Sequence, residues 1–283
     1  MRDETFVSDG LRLHYVVDGP ESGPLVVLLH GFPEFWWGWR RQIPALATAG
    51  FRVAALDLRG TGESEAPREV ERYDMQLLAG DTVALINHLG RERAHLVGHD
   101  WGAGIAWAVA LGFPQRVERL AALQVPHPRA FLEGFRSVAQ LRASWYAWFI
   151  QFEGTAEQVF GADRCRFLVD WAFGRGLFSD QEIERYRSML DRPGRLTAWF
   201  AVYRANYRPD VTVFPPEVMP NATVPTLFIY GDADFAILPV AVERCGDYVD
   251  APYQMARLKG ASHWVQHERA DEVNRLLVDF LRE

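Results

Sequence analysis

Two rhythms of hydrophobic and polar positions alternate along the chain. Leu11, Leu13, Tyr15 and Val17 alternate with other residues, the period-two pattern of a strand with one buried face. Residues 25–29 form a continuous apolar run that stops at His30-Gly31, which predicts a strand buried on both faces, as in parallel sheets. A third run, residues 51–57, ends in the turn-rich Arg59-Gly60-Thr61-Gly62-Glu63-Ser64. Leu78, Leu85, Ile86 and Leu89 then recur at helical spacing, and Gly90 follows them where a helix would end. Residues 94–97 predict a short strand, and residues 102–112 the next helix. Strands alternating with helices build βαβ units and a mostly parallel sheet, so the fold class is α/β. Ligands of such sheets bind beyond the carboxyl ends of the strands.

The rhythm breaks near Val125-Pro126-His127-Pro128. From there to about Pro220 the chain is rich in Arg, Trp and Phe and reads as helical, without a strand pattern. It resumes at residues 224–230, continues with a last strand at 253–258, and closes with a helix at 271–281 that puts Val273, Leu276, Leu277 and Phe280 on one face. The parse is an α/β core of residues 1–125 and 221–283 interrupted by a helical insertion, 126–220.

Composition narrows the function classes. Among 283 residues, 30 Lys and Arg face 37 Asp and Glu, a net charge of −7, which argues against nucleic acid or an anionic membrane as main partner. Two cysteines, Cys165 and Cys245, are too few for a disulfide framework or a cysteine zinc site, so a reduced, cytoplasmic compartment is expected. Residues 1–5 lack the apolar stretch of a signal peptide, and no run approaches the ~18 apolar residues of a membrane span. Ten tryptophans and eighteen phenylalanines supply flat apolar surface of the kind that lines pockets.

Chemistry concentrates at four places, each just after an expected strand. Gly98-His99-Asp100-Trp101-Gly102 is a Gly-x-nucleophile-x-Gly elbow, a sharp turn whose small residues let the central side chain stand over the sheet edge. A carboxylate occupies the centre. It is ionised at neutral pH and needs no base to activate it, which frees a histidine to activate water. Taken alone, this motif favours an acid that caps the helix beginning at Trp101 or Gly102; the motifs that follow reverse that reading. His30-Gly31-Phe32-Pro33-Glu34 follows the first buried run, and the Phe32 N–H can pair with that of Trp101 as an oxyanion hole. Asp234 in Gly231-Asp232-Ala233-Asp234, and His263 in Ala261-Ser262-His263-Trp264, complete the order nucleophile, acid, histidine. His263 would be the base and Asp234 its orienting partner. His263 and His267 stand four apart beside Glu268, but no third ligand accompanies them in a His-Glu-x-x-His arrangement, so no metal and no cofactor are expected.

These motifs, with Asp57-Leu58-Arg59-Gly60-Thr61-Gly62-Glu63-Ser64, resemble the epoxide hydrolase branch of the α/β-hydrolase superfamily over nearly the whole chain. The resemblance implies an α/β-hydrolase fold with a helical cap. It also implies two cap tyrosines that hold the epoxide oxygen. Trp145-Tyr146-Ala147-Trp148 and Val202-Tyr203-Arg204-Ala205-Asn206-Tyr207 resemble the family's tyrosine segments, which gives those roles to Tyr146 and Tyr203, with Tyr207 one turn on as the alternative to Tyr203. It further implies a cis Phe32–Pro33 bond, with an epoxide and water as partners and a homodimer left open. Phe35, Trp36, Trp101, Trp148 and Trp264 are the aromatics expected in the pocket, suited to an apolar or aromatic epoxide.

Two rivals stand beside this reading. Haloalkane dehalogenases use the same aspartyl ester and share Asp-Trp at the elbow, but their second halide ligand is typically Asn or Trp where this chain has Phe32. Fluoroacetate dehalogenases carry a pair of arginines where this chain has Trp101 and Gly104. A ligand-binding protein on the same scaffold would keep the pocket and lose turnover.

Overall fold

The computed structural model describes residues 1–174, 176–207 and 219–283. Position 175 and positions 208–218 of the expected helical segment lie outside the described residues. Eight strands form one sheet among the described residues: β1 (Arg2–Ser8), β2 (Leu11–Asp18), β3 (Leu25–Leu29), β4 (Arg52–Leu56), β5 (Ala94–His99), β6 (Val117–Leu123), β7 (Thr226–Gly231) and β8 (Tyr253–Leu258). Their order is β1-β2-β4-β3-β5-β6-β7-β8. The β1–β2 and β2–β4 pairs are antiparallel, and every other pair is parallel.

The continuous apolar runs reflect burial on both faces. Leu25, Val27 and Leu29 of β3 pack into one hydrophobic cluster, while Val26 and Leu28 pack into a second cluster on the opposite face. Helices cover both faces: α1 (Gln42–Thr48), α2 (Met75–His88) and α3 (Trp101–Gly112) follow β3, β4 and β5. Leu78, Leu85 and Ile86 of α2 are buried, and Gly90 just beyond it has φ +70°, a conformation that costs glycine little. Between β6 and β7 come α4 (Pro128–Gly134), α5 (Val138–Ala143), α6 (Trp145–Phe149), α7 (Thr155–Phe173), α8 (Asp180–Leu190) and α9 (Arg195–Asn206). Helix α7 breaks at residues 162–165, three of which have positive φ. The chain then adds α10 (Pro239–Val242), α11 (Val265–Glu268) and α12 (Ala270–Arg282). Val273, Leu277 and Phe280 of α12 are buried and Leu276 is partly buried, as the sequence spacing predicts.

Two strands escape the hydrophobic pattern. β1 is an edge strand whose first four residues are exposed, so its sequence carries no apolar signal and its pairing with β2 supplies the order. β6 carries Glu118 and Arg119 inside an otherwise apolar stretch, and Glu118 is drawn to Arg93 at 3.2 Å. Among the described residues, no helix is long and apolar enough to cross a membrane.

Candidate active site

The site sits where β5 turns into α3. Asp100 has φ +52° and ψ −121°, strained for a residue with a side chain. The surrounding glycines make the turn possible. A Cβ on Gly98 would lie 2.2 Å from the Gly102 carbonyl oxygen, and one on Gly102 would lie 2.0 Å from that of Leu29. A Cβ on Gly31 would strike the Asp100 side chain at 2.3 Å. The turn therefore lifts the carboxylate toward the His30–Pro33 loop. There Asp100 Oδ1 accepts the Phe32 N–H at 2.7 Å. Trp101 is the first residue of α3, so its N–H has no carbonyl within the helix to bond. The Phe32–Pro33 peptide is cis.

Asp100 Oδ2 lies 3.7 Å from His263 Nε2. On the other side of the ring, His263 Nδ1 donates to Asp234 Oδ2 at 2.8 Å. Asp234 Oδ1 accepts the N–H groups of Ala236 (2.7 Å) and Ile237 (3.1 Å), so both carboxylate oxygens are tied down. Burial works against protonation of His263; the Asp234 carboxylate, with Asp100 and Glu34 farther off, outweighs it and raises its pKa. The geometry brings the three together in the order the sequence predicts.

Tyr146 from α6 and Tyr203 from α9 face the same space. A small cavity of about 10 Å³, roughly one water molecule, is lined by Asp100, His263, both tyrosines, Phe32 and Trp264, among others. The two tyrosine rings meet edge to face with centroids 5.9 Å apart, and the Trp101 ring packs on Tyr203. Burial first, then the negative charge of nearby groups including Asp100, pushes both phenols well above the usual tyrosine range. They therefore keep their protons at neutral pH. Tyr207 differs: its ring packs on Phe135 and Trp148 and is absent from the cavity lining.

The expected aromatic lining is partly redrawn. Trp264 lines the cavity, and Trp101 stands behind Tyr203 with ring centroids 4.9 Å apart. Phe35 and Trp36 instead line a separate surface cavity with His14, Asp57 and Arg185, and Trp148 packs on Tyr207. Trp171 of α7 and Phe235 of the loop after β7 take their place. His263 lies before α11, so it shares no helix face with His267, whose Nε2 donates to Glu34 Oε1 at 2.7 Å.

Glu34, which the sequence offers only as the end of a turn motif, is fully buried behind the triad. It accepts from Tyr186 Oη (2.7 Å) and Gln266 Nε2 (3.1 Å) as well as His267. Burial opposes its charge, but His267 and His99 outweigh that and hold its carboxyl well below the usual range. Arg40 Nη1 donates to His267 Nδ1 at 3.1 Å, which leaves the His267 Nε2 proton for Glu34. His99 in turn donates through Nε2 to the His263 carbonyl oxygen at 2.9 Å, so a buried polar network backs His263.

A family model described as alpha/beta hydrolase fold matches residues 24–270. Epoxide hydrolase 3 of Xenopus tropicalis is 36% identical over 97% of this chain and 76% of its own. Epoxide hydrolase A of Mycobacterium tuberculosis is 33% identical, covering 97% of this chain and 95% of that protein. This chain belongs to the epoxide hydrolases of the α/β-hydrolase fold family. Solved structures agree: Epoxide Hydrolase A from Mycobacterium thermoresistibile superposes with a TM-score of 0.89 at 33% identity, covering 99% of this chain and 98% of that one. The epoxide hydrolase of Bacillus megaterium in complex with an inhibitor gives 0.88 at 30% identity, covering 99% and 100%. Membership of the epoxide hydrolases gives a frame for the site: a carboxylate, a paired histidine and two phenols around one cavity.

Proposed function

We propose that this enzyme opens an apolar or aromatic epoxide to a vicinal diol through an ester on Asp100. The observation that carries this reading is the convergence of Asp100, His263, Tyr146 and Tyr203 on one buried cavity. Residues 126–220 act as the cap, which supplies both phenols. Because the cavity holds about one water, the cap helices move to admit substrate.

The steps follow from the positions of the groups. The phenols hold the epoxide oxygen while Asp100 Oδ2 attacks a ring carbon. The carbon–oxygen bond breaks, and its electron pair takes a proton from one tyrosine, because an unassisted alkoxide is too basic to leave. The new ester keeps Oδ1 as its carbonyl oxygen, already bonded to the Phe32 N–H. His263 then takes a proton from water, whose oxygen attacks the ester carbon. Charge builds on Oδ1, against the Phe32 and Trp101 N–H groups. Collapse breaks the bond between the ester carbon and the alkyl-bearing oxygen; the departing alkoxide takes the second proton of the added water, which releases the diol and leaves Asp100 a carboxylate. The proton gained by His263 balances the one lost by tyrosine, and its return resets both residues. No metal or cofactor enters these steps.

Turnover on styrene and stilbene oxides, beside 1-bromobutane and fluoroacetate, tests the reaction class. Diol from the epoxides alone is expected. Halide release instead would move the chain to the dehalogenases, and bound but unturned epoxide would favour a binding protein.

His263→Gln isolates the second half. Ester formation needs no base, so the variant is expected to accumulate an Asp100 adduct heavier by the mass of one epoxide, with steady-state turnover down about 10²–10⁴-fold. Intact-protein and peptide mass spectrometry reads this. An unmodified protein after incubation with a verified substrate removes His263 as the base.

A further inference from the structure

The acid of the triad sits on a loop with no regular structure of its own. Residues 232–238 run between β7 and α10, and the Asp234 carboxylate is fixed by the N–H groups of Ala236 and Ile237 within that loop. The start of the loop is tied to the end of β8 and the turn after it, where the Asp232 and Ala233 N–H groups donate to the Leu258 and Ala261 carbonyl oxygens, and its second half is held by a buried side chain from the insertion. Gln140 of α5 donates through Nε2 to the Ala236 carbonyl oxygen at 2.8 Å and accepts the Leu238 N–H at Oε1, 2.9 Å. Its remaining amide proton goes to Ser144 Oγ at 3.0 Å. Gln140 is completely buried, and both ends of its amide are satisfied. A buried amide with fixed partners holds those partners in one arrangement, because any shift leaves polar groups unpaired away from water.

Gln140 also stands only six positions before Tyr146, on the adjoining short helix. The segment that carries one epoxide-holding phenol thus carries the group that braces the acid loop. We infer that Gln140 is a positioning residue for the Asp234–His263 pair, acting on ester hydrolysis rather than on ring opening. The inference rests on the proposed two-step reaction. It separates the steps because ring opening uses Asp100 and the phenols, whereas hydrolysis needs His263 oriented and polarised by Asp234.

Gln140→Met keeps the length and volume of the side chain and removes both loop contacts. In single-turnover experiments with styrene oxide, the ester-hydrolysis rate constant is expected to fall about 10- to 100-fold, the penalty of a modestly misplaced general base. Ester formation is expected to change less than about threefold. His263 is faced by Asp234, Asp100, the His99 ring at 4.8 Å and, farther off, Glu34. Loosening Asp234 removes the largest of the influences that raise its pKa. The acid limb of the hydrolysis rate is therefore expected to move to lower pH as the plateau drops. Gln140→Glu, which keeps an acceptor for the Leu238 N–H but loses the donor to Ala236, is expected to fall between the two and covers the case of a poorly folding Met variant. Equal loss in both steps, loss confined to ester formation, or wild-type hydrolysis in either folded variant overturns the inference. If His263→Gln never forms an ester, the two-step reading fails first, and this inference fails with it.

Discussion

Replacing Asp100 by Asn is expected to abolish turnover, with kcat/KM lower by at least about 10⁴-fold, or at least ~5.5 kcal/mol of lost transition-state stabilisation. An amide oxygen is a far poorer nucleophile than a carboxylate, and no other group in the cavity lining stands where Asp100 does. The fold is expected to survive. Asn is among the side chains that best tolerate positive φ, and its carbonyl oxygen still accepts the Phe32 N–H that Asp100 Oδ1 accepts at 2.7 Å. The variant should melt within a few degrees of the parent, and it should still bind epoxide through the phenols. The measurement is steady-state diol formation by freshly purified protein, with the mass of residue 100 checked, since deamidation would restore the carboxylate. Unchanged turnover with Asn verified at residue 100 would remove Asp100 as the nucleophile.

This outcome is visible in the sequence because the constraints at the elbow are local. A fully buried β5 strand with glycines at 98 and 102 and an acid between them marks the elbow, and steric limits of 2.2 and 2.0 Å at those glycines give the reason. The acid and the histidine are legible for a related reason: each follows a strand, and strand ends in a parallel sheet converge on one edge. Legibility fades where packing between distant elements decides. Tyr203 and Tyr207 are one turn apart and share a helix face by spacing, yet Tyr203 lines the cavity while the Tyr207 ring packs on Phe135 and Trp148. Trp36 and Trp171 are equally apolar in sequence. Which one reaches the site depends on how α7 crosses the loop after β7, where Trp171 meets Phe235 with ring centroids 5.5 Å apart. Glu34 shows the same limit: its partners Tyr186, Gln266 and His267 lie more than 150 positions away, so the turn motif around it gives no hint of a buried network. β1 is invisible because an exposed edge strand needs no apolar face, and its order comes from β2.

Removing both cap phenols, Tyr146→Phe with Tyr203→Phe, is expected to cost about 10³–10⁵-fold in kcat/KM, by blocking ring opening. Each single variant is expected to lose less, about 10–10²-fold, because both tyrosines line the same cavity and either can present a proton to the epoxide oxygen. Loss of the second donor leaves the developing alkoxide unassisted in a buried cavity, where an unpaired charge is most costly. Phe preserves the packing that holds the rings: Tyr203 against Phe32 at 5.2 Å and Trp101 at 4.9 Å, Tyr146 against Trp171 at 4.8 Å. The defect should therefore be chemical rather than structural. It should appear in the wrong half of the reaction for His263: combined with His263→Gln, the double variant should form the Asp100 adduct slowly, whereas His263→Gln alone forms it at the parental rate. Tyr207→Phe provides the contrast, with less than about a threefold effect expected, since its ring packs on Phe135 and Trp148 outside the cavity lining. A double variant that alkylates Asp100 as fast as the parent would reassign the proton donor, and a large loss in Tyr207→Phe would name its successor.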